Sequence, residues 1–265
     1  MHPLHAAVDG LMRKVGRDVV MRRFGALAPA EIEEKAGPDD LVTVADRESE
    51  ARLAEGLLRI LPGSHVVGEE GVAADAGLLG QITSGRCWVI DPIDGTANFA
   101  AGRHPFALMV ALLEEGETVA GWILDPATRR MCHAAQGGGA YIDNHRVTAR
   151  ASGAPRPLAA LATRYLPEAV RADVVARAEG RYQPVDIPHC AGEQYPRLIL
   201  GANDIALFWR AMPWDHLPGA LILGEAGGRI ARLDGAAYRA GEDRTGLLAA
   251  ASPALWDAAA RDLFG

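Results

Sequence analysis

The chain has 265 residues, of which 49% are hydrophobic, and a net charge of −7. This length is enough to bury a sizeable core in one large domain or in two closely packed halves. The acidic balance argues against nucleic acid or an anionic membrane as a main partner, and no uninterrupted apolar stretch is long enough to span a bilayer.

The cysteines and the N-terminus indicate where the protein works. Cys87, Cys132 and Cys190 are scattered and odd in number, which indicates neither a disulfide framework nor a metal knuckle. The N-terminal residues lack the charged start and apolar core of a signal peptide. We therefore expect a cytoplasmic protein in a reducing compartment.

The first half of the chain predicts two helices and then a run of strands. Apolar residues recur at helical spacing over residues 4–24, and a second helix is predicted over residues 46–60. Short apolar runs separated by turn residues then predict an antiparallel meander. Its strands are predicted at residues 65–67, 87–91, 106–113, 118–124, 131–135 and 140–142.

The second half changes style, because strands and helices now alternate. Strands are predicted at residues 158–162, 183–187, 205–210, 228–233 and 247–251. Helices are predicted at residues 167–179, 195–201, 217–226 and 254–264. Small residues, glycine and proline at residues 151–155 mark a boundary between the halves, so we expect an N-terminal α+β half at 1–150 and a C-terminal α/β half at 151–265.

The most informative stretch is Asp-Pro-Ile-Asp-Gly-Thr-Ala-Asn-Phe at residues 91–99. Asp91 and Asp94 could both turn toward one divalent metal, while Gly95 and Thr96 could open a helix whose free N–H groups face an anion. Carboxylates for a hard cation beside donors for a phosphate suggest metal-assisted phosphoryl chemistry. A turn followed by a helix N-cap explains the same residues without chemistry.

Other acidic residues favour the chemical interpretation only as a set. Glu69 and Glu70 lie between two glycines, where a nearby cation would relieve their repulsion and a solvated turn is the alternative. Asp215 precedes an apolar helical pattern and could equally be an N-cap or first-turn acid. Asp46 lies where a β-like run meets a helix.

Together these segments resemble the inositol monophosphatase family of lithium-sensitive, magnesium-dependent phosphatases. The resemblance rests on the string at 91–99, on Trp-Asp-x-x-x-Gly at 214–219 and on Glu-Ala-Gly-Gly at 225–228. Leu-Val-Thr-x-x-Asp and Gly-Glu-Glu occur upstream in the same order as in the family. The resemblance implies an α/β (α+β) fold, namely a layered αβαβα sandwich of the inositol monophosphatase and fructose-1,6-bisphosphatase type, and a homodimer.

The resemblance also implies two or three Mg²⁺ ions in the site. Glu69 and Asp91 would hold the first ion together with the backbone carbonyl of Ile93. Asp91, Asp94 and Asp215 would hold the second ion, where Li⁺ is expected to inhibit. Glu69 would reach a third, weaker ion through water, which gives this residue a catalytic role.

The remaining implied roles concern water and substrate. Thr96, paired with Asp46, would orient or deprotonate the attacking water. Asp94, Gly95 and Thr96 would contact the substrate, the last two through backbone N–H groups directed at the phosphate. Lys35 matches a family lysine near the mouth of the site, and a solvated surface charge explains Lys35 equally well.

The substrate-binding part departs from the family pattern. Phe208 stands where many inositol phosphatases place a glutamate that grips the inositol hydroxyls, and Glu193 could supply the missing contact or be a surface residue. We expect a small-molecule phosphomonoester as substrate, with an inositol monophosphate as the default. A 3'(2'),5'-nucleoside bisphosphate, fructose 1,6-bisphosphate or histidinol phosphate is the alternative, and a mainly regulatory binding protein that keeps the fold is another.

Overall fold

The computed structural model describes residues 1–37 and 40–265, without the side chains of residues 35–37 and 40. The backbone of Lys35 lies in the first strand. The prediction for Lys35 concerns its side chain, which is outside the described part of the structure. The helices of the described chain are α1 (His5–Val15), α2 (Met21–Arg23), α3 (Val44–Ile60), α4 (Glu69–Ala74), α5 (Thr96–Ala100), α6 (Glu168–Ala178), α7 (Ala191–Leu200), α8 (Pro213–Glu225) and α9 (Pro253–Phe264).

The strands of the same ranges form a hairpin, a seven-stranded sheet and a five-stranded sheet. The hairpin consists of β1 (Ile32–Gly37) and β2 (Asp40–Thr43). The large sheet contains β3 (His65–Gly68), β4 (Arg86–Asp94), β5 (Ala107–Glu114), β6 (Glu117–Leu124), β7 (Met131–Ala135), β8 (Gly139–Ile142) and β9 (His145–Val147). The small sheet contains β10 (Leu158–Leu161), β11 (Gln183–Pro184), β12 (Ile205–Phe208), β13 (Arg229–Arg232) and β14 (Leu247–Ala250).

The large sheet follows chain order from β3 to β9, and it is buried on both faces. Its first pair, β3 and β4, is parallel, and the other pairs are antiparallel, as in the predicted meander. Side chains alternate along β4 because strand residues point to opposite faces in turn. Trp88 and Ile90 pack with Leu53 of α3, whereas Val89 packs with Trp214 of α8.

The small sheet has the order β11-β10-β12-β14-β13 and completes the layers. On its inner face Ala206 packs with Tyr195 of α7 and Ile222 of α8, and on its outer face Ile205 packs with Trp256 of α9. The layers are therefore α1 with α3, the large sheet, α7 with α8, the small sheet, and α6 with α9. This is the predicted αβαβα sandwich. Because α7 and α8 contact both sheets, the predicted halves share a core, and their division at residue 150 stays a prediction.

Several elements differ from the sequence prediction. The first helix is interrupted by a π-helical turn at Gly16–Val20, and the β1–β2 hairpin and β9 were not predicted. The strand predicted at 183–187 is only the short edge strand Gln183–Pro184, which pairs in parallel with β10. Among the described helices, none combines the length and apolar character needed to cross a bilayer.

Alanine substitutions at two glycines of α8 are expected to have opposite effects on stability. A Cβ at Gly219 would lie 2.0 Å from the buried Tyr195 ring, whereas a Cβ at Gly224 would meet no atom within 4 Å. We expect Gly219→Ala to lower the free energy of unfolding by about 1–3 kcal/mol through overpacking. Gly224→Ala should raise this free energy by up to about 1 kcal/mol, because alanine has the higher helix propensity. Urea unfolding of the two variants measures both effects, and equal effects would contradict this packing.

Candidate active site

Asp91 and Asp94 face the same side of the large sheet because β4 is bulged between them. Asp91 pairs with Met109 of β5 and Asp94 pairs with Ala107, so two β4 residues oppose one β5 residue. Residues three apart in a regular strand point to opposite faces, and one extra residue restores a common face. Both aspartates line a cavity of about 410 Å³.

Gly95 and Thr96 follow the bulge and begin α5. Gly95 has φ +84°, and a Cβ there would lie 3.1 Å from the carbonyl oxygen of Pro105, so the turn requires glycine. The Thr96 hydroxyl lies 2.8 Å from the backbone carbonyl oxygen of Ile93 and 3.2 Å from Oδ1 of Asp46. The fold thus brings together Thr96 and Asp46, which are fifty residues apart.

Asp46 is the third residue of α3 and caps its N-terminus together with Thr43. The N–H and the hydroxyl of Thr43 both donate to Oδ2 of Asp46, at 2.8 Å and 2.6 Å. Burial raises the pKa of Asp46 to about 7, and the two Thr43 hydrogen bonds oppose this rise. The nearby carboxylates of Glu70 and Glu69 contribute to this rise, so Asp46 changes charge near neutral pH.

Glu69 begins α4 and lines the cavity. The start of this helix is held by Glu50 of α3, whose carboxylate accepts hydrogen bonds from the N–H groups of Glu70 and Gly71, both at 2.8 Å. A Cβ at Gly68 would lie 2.3 Å from the Glu50 carboxyl carbon, which explains the glycine before the two acids. Burial raises the pKa of Glu50 to about 7.

Asp215 lies in the first turn of α8, which begins at Pro213, four residues earlier than predicted. Asp215 lines the same cavity as Asp91, and the two carboxyl groups influence each other's pKa. Burial and the neighbouring carboxylates raise the pKa of both residues well above the usual aspartate value. Oδ1 of Asp91 is buried without a hydrogen-bond partner.

Asp94 joins the bulged strand to the N-terminus of α7. Its Oδ2 accepts a hydrogen bond from the Gly192 N–H at 2.6 Å and from the Cys190 thiol at 3.0 Å. Gly192 has no room for a side chain, because a Cβ would lie 2.6 Å from Cβ of Ala107. Burial raises the pKa of Asp94 to about 6, and these hydrogen bonds limit the rise.

The two predicted substrate contacts lie in different places. Phe208 lines the cavity, and its ring centroid lies 5.7 Å from that of Tyr195 and 4.8 Å from that of His216. Glu193 is absent from the residues that line the described cavity, and its carboxylate accepts hydrogen bonds from Arg130 and Arg197. The predicted substrate contact of Glu193 therefore has no support in this geometry.

Sequence reasoning missed two residues of this region. Glu50 caps α4 although it looks like an ordinary charged residue of α3, and the sequence carries no signal for that contact. Gln194 borders the cavity and is buried. A signal for Gln194 exists, because it lies one helical turn before Leu198 on the apolar face of α7.

The cavity combines acidic and basic groups. Glu69, Asp91, Asp94 and Asp215 line it, and so do Arg103, Arg164 and Arg210. Within 1–37 and 40–265, no group of three or more His, Cys, Asp or Glu side chains forms a preformed metal-binding cluster. One of the acids, Asp94, has its Oδ2 directed to the start of α7. The cavity can attract an anion to its arginines and a cation to its acids.

Comparisons with known proteins place this fold and cavity in a family. The sequence profile of the inositol monophosphatase family matches residues 2–263. A Thermotoga maritima fructose-1,6-bisphosphatase/inositol-1-monophosphatase is 29% identical over 85% of this chain and 83% of the relative. A Mycobacterium tuberculosis histidinol-phosphatase is 36% identical over 81% of this chain and 82% of the relative. The solved Thermotoga maritima IMPase has a TM-score of 0.82 at 25% identity, covering 99% of this chain and 97% of that one.

The chain belongs to the inositol monophosphatase family. Within it, the protein is a phosphatase of the inositol monophosphatase type, a class that acts on small phosphate substrates. The predicted family and the predicted fold type are therefore confirmed.

The raised pKa of Asp46 predicts a specific pH dependence of stability. The pKa is about 7 in the fold and 3.8 ordinarily, so the stabilising neutral form is lost as pH rises through about 7. We expect the stability of the wild type relative to Asp46→Asn to fall by roughly 2 kcal/mol between about pH 5 and 8. Thermal unfolding in EDTA at a series of pH values measures this difference in stability. The other titrating groups are present in both proteins, so their contributions cancel.

Glu33→Gln is the control for this measurement. Glu33 is exposed, and its hydrogen bond with Arg47 lowers its pKa, so this carboxylate is ionised throughout the pH range. The stability of wild type relative to Glu33→Gln should therefore not change with pH. A difference between wild type and Asp46→Asn that stays constant or grows with pH would contradict the burial of a protonated Asp46.

Proposed function

We propose that this protein is a magnesium-dependent phosphomonoesterase, with an inositol monophosphate as the default substrate. The observation that carries the proposal is the set of four acids that line one cavity, Glu69, Asp91, Asp94 and Asp215. Burial raises the pKa values of Asp91, Asp94 and Asp215, and neighbouring carboxylates raise those of Asp91 and Asp215 further. A bound cation would relieve that repulsion.

The residues present fit magnesium. The donor set consists of carboxylate oxygens and the backbone carbonyl of Ile93, which are the hard oxygen ligands that Mg²⁺ prefers. Oδ1 of Asp91 is a buried acceptor without a protein partner, as expected of an oxygen that serves a cation. The raised pKa values of Asp91 and Asp215 favour protonated carboxyl groups, whereas a metal binds the ionised form, so we expect magnesium affinity to rise with pH.

In this proposal Glu69 and Asp91 would hold one ion with the Ile93 carbonyl. Asp91, Asp94 and Asp215 would hold another, and Glu69 would reach a weaker third through water. Magnesium, when bound, supplies positive charge that offsets the dianionic phosphate and makes a nearby water more acidic. The arginines of the cavity add positive charge for the same anion.

Thr96 and Asp46 handle the proton in this proposal. When Asp46 is ionised, the Thr96 hydroxyl donates its hydrogen to Oδ1 of Asp46, and its lone pairs accept a hydrogen bond from the attacking water. The Asp46 pKa of about 7 suits a group that takes up a proton near neutral pH. The backbone N–H groups of Gly95 and Thr96 orient the phosphate.

The alternatives share this chemistry and differ in the alcohol. The names of the relatives include fructose-1,6-bisphosphatase and histidinol-phosphatase beside inositol-1-monophosphatase, so one acidic cluster is compatible with several alcohols. A nucleoside bisphosphate is a further alternative. A purely regulatory binding protein would have no need for the Thr96–Asp46 contact, and we therefore favour an enzyme.

Magnesium removal tests the proposal. EDTA should abolish the release of phosphate from a small phosphomonoester, and added magnesium should restore it. Asp94→Asn should lower turnover at least ~100-fold, because the amide removes one negative ligand while still accepting the Gly192 hydrogen bond. Asp257→Asn, at an exposed ion pair with Arg229, is the matched control and should keep full activity. Unchanged turnover in EDTA would contradict the proposed dependence on magnesium.

Lithium inhibition tests the second ion site. A small monovalent cation at Asp94 and Asp215 would hold the phosphate product in place, as the family resemblance implies. We expect turnover at saturating magnesium to fall as lithium rises, with sodium at the same concentration as the control. Indifference to lithium would mean that this second site is built differently.

A further inference from the structure

Gln194 is a buried amide at the edge of the cavity with no hydrogen-bond partner in the protein. It lies in the second turn of α7 and is 2% exposed, and both Nε2 and Oε1 lack a partner. Burying an amide in this way costs free energy that a hydrogen-bonding ligand would recover. Gln194 lines the cavity, so its unpaired amide belongs to a residue that borders the space a ligand would occupy.

The other amide that lines the cavity has a different task. Nδ2 of Asn98 donates hydrogen bonds to the carbonyl oxygens of Pro105, at 2.8 Å, and Pro188, at 2.9 Å. Asn98 therefore ties α5 to two loops and has no free donor for a substrate. Gln194 has both its donor and its acceptor capacity unused, so it is the amide of this cavity that is available for recognition.

The surroundings of Gln194 indicate which part of a substrate it meets. Phe208 and Ala160 bring an apolar surface of the small sheet to the same cavity. Asp94 lies at the start of the helix that carries Gln194, where its Oδ2 is bonded to Gly192. A phosphate held at Gly95 and Thr96 would leave its alcohol between the acids and this apolar surface, where Gln194 is a neutral polar group.

We propose that Gln194 determines specificity by hydrogen bonding to a hydroxyl of the alcohol part of the substrate. This inference rests on the proposed phosphatase function. An amide both donates and accepts, so it matches a hydroxyl, which does the same. Gln194 thereby provides the polar contact that Phe208 cannot make and that Glu193, held by two arginines, does not offer. The compounds recognised are phosphate esters of alcohols that carry a further hydroxyl.

The test compares a hydroxyl-rich ester with a hydroxyl-free one. For Gln194→Met, which keeps the length and removes the amide, kcat/KM for inositol 1-phosphate should fall at least ~10-fold. For phenyl phosphate, kcat/KM should change less than about threefold, since that ester has no hydroxyl to lose. Inhibition by inorganic phosphate should be unchanged, because the phosphate is bound elsewhere. If Gln194→Met does not fold, Gln194→Asn, which keeps a shorter amide, gives the same comparison.

Asn203→Leu is the matched control. Nδ2 of Asn203 is also buried without a partner, and Asn203 is absent from the residues that line the described cavity. This variant should leave the ratio of the two kcat/KM values unchanged. Equal losses on both esters, no loss on either, or a changed inhibition constant for phosphate at Gln194→Met would overturn the inference while wild-type turnover upheld the phosphatase. No magnesium-dependent turnover of either ester by the wild type would overturn both proposals.

Discussion

The site depends on the burial of several carboxylates close to one another. Asp46 and Asp91 are 1% exposed, and burial is the largest cause of the raised pKa at both residues. The fold limits this cost by placing acids at helix N-termini, where the helix dipole favours negative charge. Asp46, Glu69 and Asp215 lie in the first turns of α3, α4 and α8, and Asp94 accepts hydrogen bonds at the start of α7. These four helix N-termini therefore partly offset the cost of burying the acids.

Bringing these helix ends together requires close contact between segments that are distant in the chain. Gly68, Gly95 and Gly192 stand where a side chain would collide with Glu50, with the Pro105 carbonyl and with Ala107. Gly68 and Gly95 belong to sequence motifs in which a tight turn would explain the presence of glycine. The structure gives a second reason, because the missing Cβ lets another segment approach the acids directly.

The acids and the proposed contacts to the alcohol come from different parts of the fold. Asp91 and Asp94 belong to the large sheet and its bulge, whereas Phe208 belongs to the small sheet. A change at Phe208 in the small sheet can therefore alter the proposed contacts to the alcohol without touching Asp91 or Asp94. This separation is consistent with relatives that share the fold and carry the names of different phosphatases.

The sequence by itself determined the family, the order of most helices and strands, and the acidic motifs, because apolar periodicity, turn residues and short motifs are local properties. The tertiary structure alone decided which partner each side chain has. Glu193 meets Arg130 across 63 positions, and Asp94 meets the Gly192 N–H across 98. The β-bulge that gives Asp91 and Asp94 a common face, and the burial that leaves Gln194 unpaired, likewise depend on neighbouring strands and helices. Hydrogen bonding and burial are set by atoms that are close in space, and the linear order of residues does not fix that proximity.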